Sequence, residues 1–207
     1  MGLIRLLFSD PATFILLVIP LLYSVIIHEV AHGWVADKMG DSTARWLGRL
    51  TLNPMRHLDP VGTLMLFFFG FGWAKPVPVN FGNLRNYRSG LICVSAAGIA
   101  ANILLAFLAK LALSTVHFGF SSPFSTVLYY LFRINIMLAA FNLIPIPPLD
   151  GSKILMGFTS RHFQYTLQRL EPYGFFIIIA LLYIGVLDPL IAFFQWLIMF
   201  LIGLIIG

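Results

Sequence analysis

Two histidines and a glutamate lie close together early in the chain, in the segment HEVAHG. His28 and His32 are four residues apart, so on an α-helix they share one face and can both present a ring nitrogen to a single metal ion. Glu29 directly follows the first histidine, and one residue turns a helix by about 100°. We therefore expect Glu29 to reach a metal-bound water and take its proton, without binding the metal itself.

This spacing is the HExxH pattern of zinc-dependent hydrolysis. Zinc lowers the pKa of a bound water towards about 7, so hydroxide can form at neutral pH and attack a peptide carbonyl. The alternative interpretation is that the two histidines are interfacial side chains that bind no metal. Ionisable groups within a membrane-spanning helix are costly and usually functional, so the pattern favours a metal site.

Asp150 is the best candidate for a third ligand, because catalytic zinc sites usually have three protein ligands and one open position. It lies in the segment FNLIPIPPLDG. Pro145, Pro147 and Pro148 disfavour a regular helix and predict an extended segment that presents a carboxylate at a fixed place. Taken alone, Asp150 followed by Gly151 also fits a plain turn. We predict one zinc ion per chain, bound by His28, His32 and Asp150.

The composition predicts a membrane protein. Of the 207 residues, 59% are hydrophobic and 10% are charged, whereas globular domains carry about 25% charged residues. Several apolar stretches approach the roughly 20 residues that a membrane-spanning helix needs. The net charge of +5 comes from basic residues in loops beside apolar segments. Basic loops of this kind indicate how a membrane protein is oriented in the bilayer. We therefore expect no nucleic-acid partner.

The order of apolar segments predicts an all-α polytopic bundle of about five to six transmembrane helices, in a single domain over residues 1–207. The predicted core covers about residues 12–160, and a helical pair over residues 173–206 closes the chain. Full spans are expected at residues 12–36, 91–116 and 124–145, and the closing pair at 173–187 and 189–206. Residues 61–73 are apolar but too short to cross, which favours a re-entrant segment. Residues 75–88 follow with valine alternating with proline, the pattern of an extended edge strand.

Basic residues set the predicted orientation. The loops at residues 37–60, 75–90 and 152–172 carry four, three and three Lys or Arg residues, and the link at residues 117–123 carries none. The positive-inside rule places the basic loops in the cytoplasm. Along an α-helix, His32 then lies roughly 9 Å and His28 roughly 15 Å from Lys38. The site should therefore lie within the membrane, towards its cytoplasmic side.

The paired motifs HEVAHG and NLIPIPPLDG resemble those of the site-2 protease family of intramembrane zinc metalloproteases. The resemblance runs from about residue 12 to residue 160 and includes the segments LNPMRHLDPVGT and GWAKPVPVN. It implies that His28, His32 and Asp150 bind zinc and that Glu29 is the catalytic glutamate. It also implies a compact member without a PDZ or CBS domain, in a multi-pass arrangement in a prokaryotic cell membrane.

Two asparagines are weaker candidates. Asn142 precedes the aspartate in the second motif, and Asn102 ends a Gly-x-x-x-Asn pattern in GIAAN, where the family often has proline in place of Ile99. Either asparagine could orient a ligand or donate a hydrogen bond to an oxyanion. The alternative is interhelical hydrogen bonding, which is common for asparagine in membranes.

The expected reaction is hydrolysis of a peptide bond in or near a transmembrane segment of a membrane-protein substrate. Such a substrate must bind in an extended form, and residues 76–79 offer either an edge for strand addition or a plain membrane-surface loop. The alternative function is a membrane metal-ion transporter or sensor that uses the same His28, His32 and Asp150. A transporter has no need of Glu29 beside the first histidine and should show several polar sites along a path.

Overall fold

The computed structural model describes residues 3–70, 72–115 and 122–206, and their regular structure is helical. The α-helices are α1 (Leu3–Ser9), α2 (Pro11–Lys38), α3 (Thr43–Trp46), α4 (Pro60–Phe69), α5 (Tyr87–Thr115), α6 (Pro123–Asn142), α7 (Asp150–Phe158), α8 (Arg161–Leu170), α9 (Gly174–Tyr183) and α10 (Asp188–Ile206). Short 3-10 turns occur at Pro54–Arg56, Phe81–Asn83 and Glu171–Tyr173. The prediction of an all-α architecture is confirmed.

Four of the described helices, α2, α5, α6 and α10, are long and apolar enough to cross a membrane. The chain is an integral membrane protein, as the composition predicts. Helices α4 and α9 have ten residues each, or about 15 Å, which is half of the roughly 30 Å hydrocarbon core. The described part of the chain thus has four candidate spans rather than five to six. The main difference lies at residues 173–187, where α9 ends before Gly185, whose φ is +73°.

Helix α5 is at the centre of the bundle and packs against α2, α6 and α7. The largest apolar cluster combines residues of α5, α6 and α10, among them Ile99, Ile136 and Ile198. Ala106 on α5 and Ala139 on α6 are fully buried, and such small side chains allow helix backbones to approach closely in a membrane. Because α5 touches both α2 and α7, it contacts the two helices that carry the candidate metal ligands.

The predicted strand is not confirmed. No strand occurs among the described residues, and residues 75–80 form neither helix nor ladder. Their neighbour Ala74 makes one isolated antiparallel bridge, with Leu58. Pro76 and Pro78 lack the backbone N–H groups that a continuous ladder would use. The place of the predicted re-entrant strand element is therefore taken by the short apolar helix α4 and the irregular residues 75–80.

The first residue of this irregular segment is held by two hydrogen bonds. The backbone N–H of Lys75 donates to the carbonyl of His57 over 2.8 Å, and the guanidinium of Arg49 donates to the carbonyl of Lys75, also over 2.8 Å. Both Arg49 and His57 are buried. The segment therefore enters the bundle from a fixed point on the loop that follows α3.

The last residue of the segment is held by Asp41, which is fully buried just after α2. Its carboxylate accepts hydrogen bonds from the backbone N–H of Asn80 at 2.7 Å, from the side-chain amide of Asn83 at 2.9 Å and from the hydroxyl of Thr43. Burial raises the pKa of this carboxyl, but the hydrogen bonds from Thr43 and Asn83 outweigh it and hold the pKa of Asp41 below its usual value. Asp41 is thus a charged anchor at neutral pH.

Candidate metal centre

Helix α2 brings His28 and His32 together through their four-residue spacing. Their Nε2 atoms lie 3.0 Å apart, and both side chains are buried, with exposures of 7% and 8%. Two imidazole nitrogens at this separation can share one metal ion. The expectation that the two histidines lie on one helix face is therefore met in the structure.

Asp150 completes a cluster with the two histidines. Its Oδ2 lies 3.1 Å from Nε2 of His28 and 3.2 Å from Nε2 of His32. The sequence predicts an extended segment at this residue, but Asp150 is the first residue of α7. The prolines precede the helix start, so their missing N–H groups remove no intrahelical bond, and a carboxylate is favourable at a helix N-terminus. A Cβ on Gly151 would lie 2.3 Å from the carbonyl oxygen of Leu143, so glycine allows this close turn.

The outer nitrogens of both rings are hydrogen-bonded to acceptors. Nδ1 of His28 lies 2.6 Å from Oδ1 of Asn102, and Nδ1 of His32 lies 2.7 Å from the carbonyl oxygen of Val94. Oxygens of this kind accept, so each Nδ1 carries the hydrogen and each Nε2 keeps its lone pair. Oδ2 of Asp150 is buried and also has no hydrogen-bond donor. Three acceptor atoms therefore face one another, an arrangement that a cation stabilises.

The dimensions of the cluster fit zinc. Tetrahedral zinc with ligand distances of about 2.0 to 2.1 Å requires adjacent ligand atoms about 3.3 to 3.4 Å apart. The three separations here are 3.0, 3.1 and 3.2 Å, so small outward shifts would give one face of that tetrahedron. Two imidazoles and one carboxylate leave the fourth position for water or substrate, as in catalytic zinc sites.

Glu29 lies beside this cluster but is not one of its members. The ligand atoms that lie within 4.8 Å of one another belong to His28, His32 and Asp150. Glu29 is half-buried, and its Oε2 accepts a hydrogen bond of 2.9 Å from the backbone N–H of Val77. Sequence reasoning missed this contact, which joins residues 48 positions apart. A carboxylate adjacent to the ligands but outside their cluster is placed as a general base would be.

A cavity of about 750 Å³ opens onto the cluster and Glu29. One wall is formed by residues of the segment that follows α4, including Pro76, Val77 and Val79. Apolar side chains of α5 and α7, among them Leu91 and Met156, also line the cavity. The reactive groups therefore lie at one side of a largely apolar cleft between the irregular segment and the bundle.

The two candidate asparagines have different surroundings. Asn142 lines the cavity, and its side-chain amide donates to the carbonyl of Leu138 over 2.9 Å. Asn102 is fully buried behind His28, where its oxygen bonds the ring and its amide bonds other helices. Asn102 is therefore positioned to orient a ligand, and of the two only Asn142 is positioned to meet a substrate.

Gly98 is a residue that sequence reasoning did not place in the site. A Cβ at this position would lie 2.5 Å from Nε2 of His32 and 2.6 Å from Cε1 of His28. In an α-helix the carbonyl of one residue points towards the fourth residue ahead, so a bare Gly98 also leaves the carbonyl of Val94 accessible to His32. The available signal was the Gly-x-x-x-Asn pattern, which identifies the residue but not its contact with the rings.

Comparison with known proteins is consistent with this geometry. A relative from Bacillus subtilis, named "Putative zinc metalloprotease YwhC", is 42% identical over 172 residues, covering 80% of this chain and 78% of the relative. The chain belongs to peptidase family M50. The family model, described as Peptidase family M50, matches residues 115–185. A "Putative zinc metalloprotease Rip2" from Mycolicibacterium smegmatis is 31% identical over 183 residues, covering 84% of this chain and 69% of the relative. No solved structure matches.

Membership of family M50, the site-2 protease family, confirms the resemblance seen in the motifs. The chain is accordingly a metalloprotease, and its cofactor is zinc. The buried cluster of His28, His32 and Asp150 is the group in the described part of the chain that could bind that metal. It combines donor types and separations that suit zinc.

Replacing Gly98 by alanine should weaken zinc binding. The added methyl would overlap both imidazole rings, so the rings must move away from the positions in which they approach Asp150. We expect the zinc dissociation constant to rise at least about tenfold, measured by competition with a chromogenic chelator on protein purified in detergent. Gly203→Ala is the matched control, because a Cβ at Gly203 in α10 meets nothing within 4 Å. Equal zinc affinity in Gly98→Ala and wild type would show that this close approach does not shape the site.

Proposed function

We propose that this chain is an intramembrane zinc protease, which hydrolyses peptide bonds in or near the transmembrane segments of membrane-protein substrates. One observation carries the proposal: three buried ligand atoms lie within 3.2 Å of one another, and two of them, with the neighbouring glutamate, belong to a helix long enough to cross a membrane. A soluble metalloprotease has no need to place its metal ligands on such a helix.

The residues have separable roles in this reaction. His28, His32 and Asp150 would hold the ion, and bound zinc would lower the pKa of a water and polarise the scissile carbonyl. Glu29 accepts the proton of the attacking water and passes it to the leaving amine. The N–H of Val77 holds one carboxylate oxygen of Glu29, which leaves the other oxygen free for that proton.

The irregular segment next to the site offers a mode of substrate binding. We infer that residues 76–79 bind substrate in an extended form, in which the backbone groups of successive residues point to opposite edges. The N–H of Val77 points to Glu29, so the N–H of Val79 belongs to the same edge, whereas Pro76 and Pro78 leave the other edge without donors. A substrate bound as an added strand would therefore pair on the side that faces the cavity. This pairing supplies the extended conformation that cleavage requires.

Replacing Val79 by proline tests this pairing. The substitution removes one backbone donor from the cavity-facing edge and leaves the bond between Val77 and Glu29 in place. We expect cleavage to fall about two- to tenfold, the loss of one hydrogen bond, while zinc content stays unchanged. Val79→Ala keeps the donor and should lose much less activity. Equal activity of the two variants would mean that the N–H of Val79 does not bind substrate.

The orientation proposed for the enzyme follows from its basic loops. The segments that follow α2, precede α5 and follow α6, at residues 37–60, 75–90 and 152–172, carry ten of the thirteen Lys and Arg residues. This favours a cytoplasmic location for these ends of the helices and for the active site. The bacterial relatives support a prokaryotic cell membrane. The lipid bilayer and the membrane proteins or membrane peptides within it are then the partners of the single domain at residues 1–207.

Cysteine labelling tests this orientation. Met55, His162 and Ser114 are all exposed, and each would be replaced singly by cysteine in a Cys93→Ala background. An impermeant maleimide added to intact cells should label position 114, and positions 55 and 162 should react only after the cells are opened. Labelling of positions 55 and 162 from opposite sides of the membrane would be incompatible with a shared cytoplasmic site.

Replacing Glu29 by glutamine separates proteolysis from metal handling. The three metal ligands remain, and the amide oxygen can still accept from Val77, but the proton acceptor is lost. Zinc content should be unchanged and cleavage should fall by about 10² to 10⁴, measured on a single-span reporter protein that the wild-type chain cuts. Asp59→Asn is the control for a carboxylate-to-amide change, because Asp59 caps α4 away from the site and asparagine caps equally well.

The outcomes of the Glu29→Gln experiment are distinct. A membrane metal transporter or sensor using His28, His32 and Asp150 would keep its metal transport or metal response in this variant. Retained zinc with undiminished cleavage would remove Glu29 from the mechanism. Lost zinc would make Glu29 a metal ligand. Only retained zinc with greatly reduced cleavage agrees with the proposed function.

A further inference from the structure

A chain of buried polar side chains extends behind His28 into the bundle. Asn102 on α5, Asn135 on α6 and Ser24 on α2 all have an exposure of 0%. Oδ1 of Asn102 lies 2.6 Å from Nδ1 of His28. The amide of Asn102 donates to Oδ1 of Asn135 over 2.7 Å, and the amide of Asn135 donates to the hydroxyl of Ser24, also over 2.7 Å. The three helices α2, α5 and α6 are thus joined by one hydrogen-bonded chain that ends on a metal ligand.

Backbone carbonyls determine the direction of this chain. The amide of Asn135 donates its second hydrogen to the carbonyl of Leu131 over 2.8 Å. A carbonyl can only accept, so the nitrogen of Asn135 must face Leu131 and its oxygen must face Asn102. The amide of Asn102 faces a second carbonyl, that of Ser24, at 3.4 Å. Finally, the hydroxyl of Ser24 donates to the carbonyl of Pro20 over 2.6 Å, so its oxygen is free to accept from Asn135.

Only one orientation of the side-chain amides of Asn102 and Asn135 gives every group in this hydrogen-bonded chain a suitable partner. With Asn135 fixed, Asn102 must present its oxygen to His28, and Nδ1 of His28 must then carry the hydrogen. A reversed Asn102 would place its oxygen against the carbonyl of Ser24 and against the oxygen of Asn135. It would also present N–H groups to the ring and favour a hydrogen on Nε2, the atom that has to bind the metal.

His32 differs from His28 in the hydrogen-bond partner of its Nδ1. Its Nδ1 bonds the backbone carbonyl of Val94 directly, so its tautomer depends on no side chain. His28 has no such backbone partner and depends on Asn102, whose own orientation depends on Asn135. Of the two histidines, only His28 can therefore lose its binding tautomer through a side-chain substitution remote from the cluster.

We propose that Asn135 is a positioning residue for the metal centre, which acts through Asn102 to hold His28 in the tautomer whose Nε2 binds zinc. The inference rests on the cluster being the zinc site of the proposed function. Asn135 lies outside the motifs that mark the site in the sequence and lines no part of the cavity. Its effect should appear in metal affinity as well as in cleavage.

The test compares zinc dissociation constants for purified variants, measured by chelator competition. Asn135→Leu has a similar volume and removes the acceptor for Asn102, so the dissociation constant should rise about ten- to hundredfold, as for other groups that orient a metal ligand. Ile136→Ala is the matched control. It is the next residue on α6, is buried in the apolar core, and should lower the thermal midpoint while leaving the zinc dissociation constant within about twofold.

Two further variants sharpen the comparison. Asn135→Asp keeps an oxygen facing Asn102, so its zinc affinity should be closer to wild type than that of Asn135→Leu. If Asn135→Leu is not recovered in folded form, Asn135→Ala removes the same acceptor and should show the same loss. Histidine ¹⁵N spectra of the zinc-free protein provide a second readout, because the wild type should show Nδ1–H at His28 and Asn135→Leu should show a mixture of tautomers.

The inference is overturned by an unchanged zinc dissociation constant in both Asn135→Leu and Asn135→Ala. It is also overturned if Ile136→Ala loses as much affinity as they do, since loss of packing would then explain the effect. Failure of the proposed function gives a different result. A wild-type chain that binds zinc but cuts no membrane substrate would remove the proteolysis and leave the role of Asn135 intact.

Discussion

The structure depends on three acceptor atoms that are held close together in the interior of a membrane protein. Nε2 of His28, Nε2 of His32 and Oδ2 of Asp150 lie 3.0 to 3.2 Å apart. Acceptors at this distance repel one another, and burial of a carboxylate without a partner is costly. A divalent cation makes the same arrangement favourable. The surrounding helices must therefore hold the three atoms in place against that repulsion.

One face of helix α5 holds the two histidine rings in place. Val94, Gly98 and Asn102 are spaced by four residues and so lie in a row along the helix. The carbonyl of Val94 accepts from the ring of His32, the missing side chain of Gly98 makes room for both rings, and the side-chain oxygen of Asn102 accepts from the ring of His28. Asn135 then connects this face to α6. The contacts that orient the candidate metal ligands thus also join α2, α5 and α6.

In the proposed function, the irregular segment after α4 would connect substrate binding to the general base. It is anchored at one end through Lys75 and at the other through Asp41. Between the two anchors, the N–H of Val77 holds Glu29. In the proposed reaction, a substrate that pairs with this segment would contact the same backbone that orients the carboxylate. Correct substrate placement and correct placement of the base would then depend on a single element.

The sequence alone determined the membrane character, the all-α class and the candidate groups His28, Glu29, His32 and Asp150. These features are carried by composition and by short motifs, in which spacing translates directly into a shared helix face. The tertiary structure decided the contacts between residues far apart in the sequence, which short motifs do not contain. The bond between Asn102 and His28 joins residues 74 positions apart, and that between Asn135 and Ser24 joins residues 111 apart. The expected strand did not form, because strand pairing needs a partner and no local pattern specifies one. Asp150 begins a helix because the close approach of Gly151 to the carbonyl of Leu143 allows the turn before it. Local periodicity predicts which residues share one face of a helix. Only the packing between helices decides which of these faces contact each other.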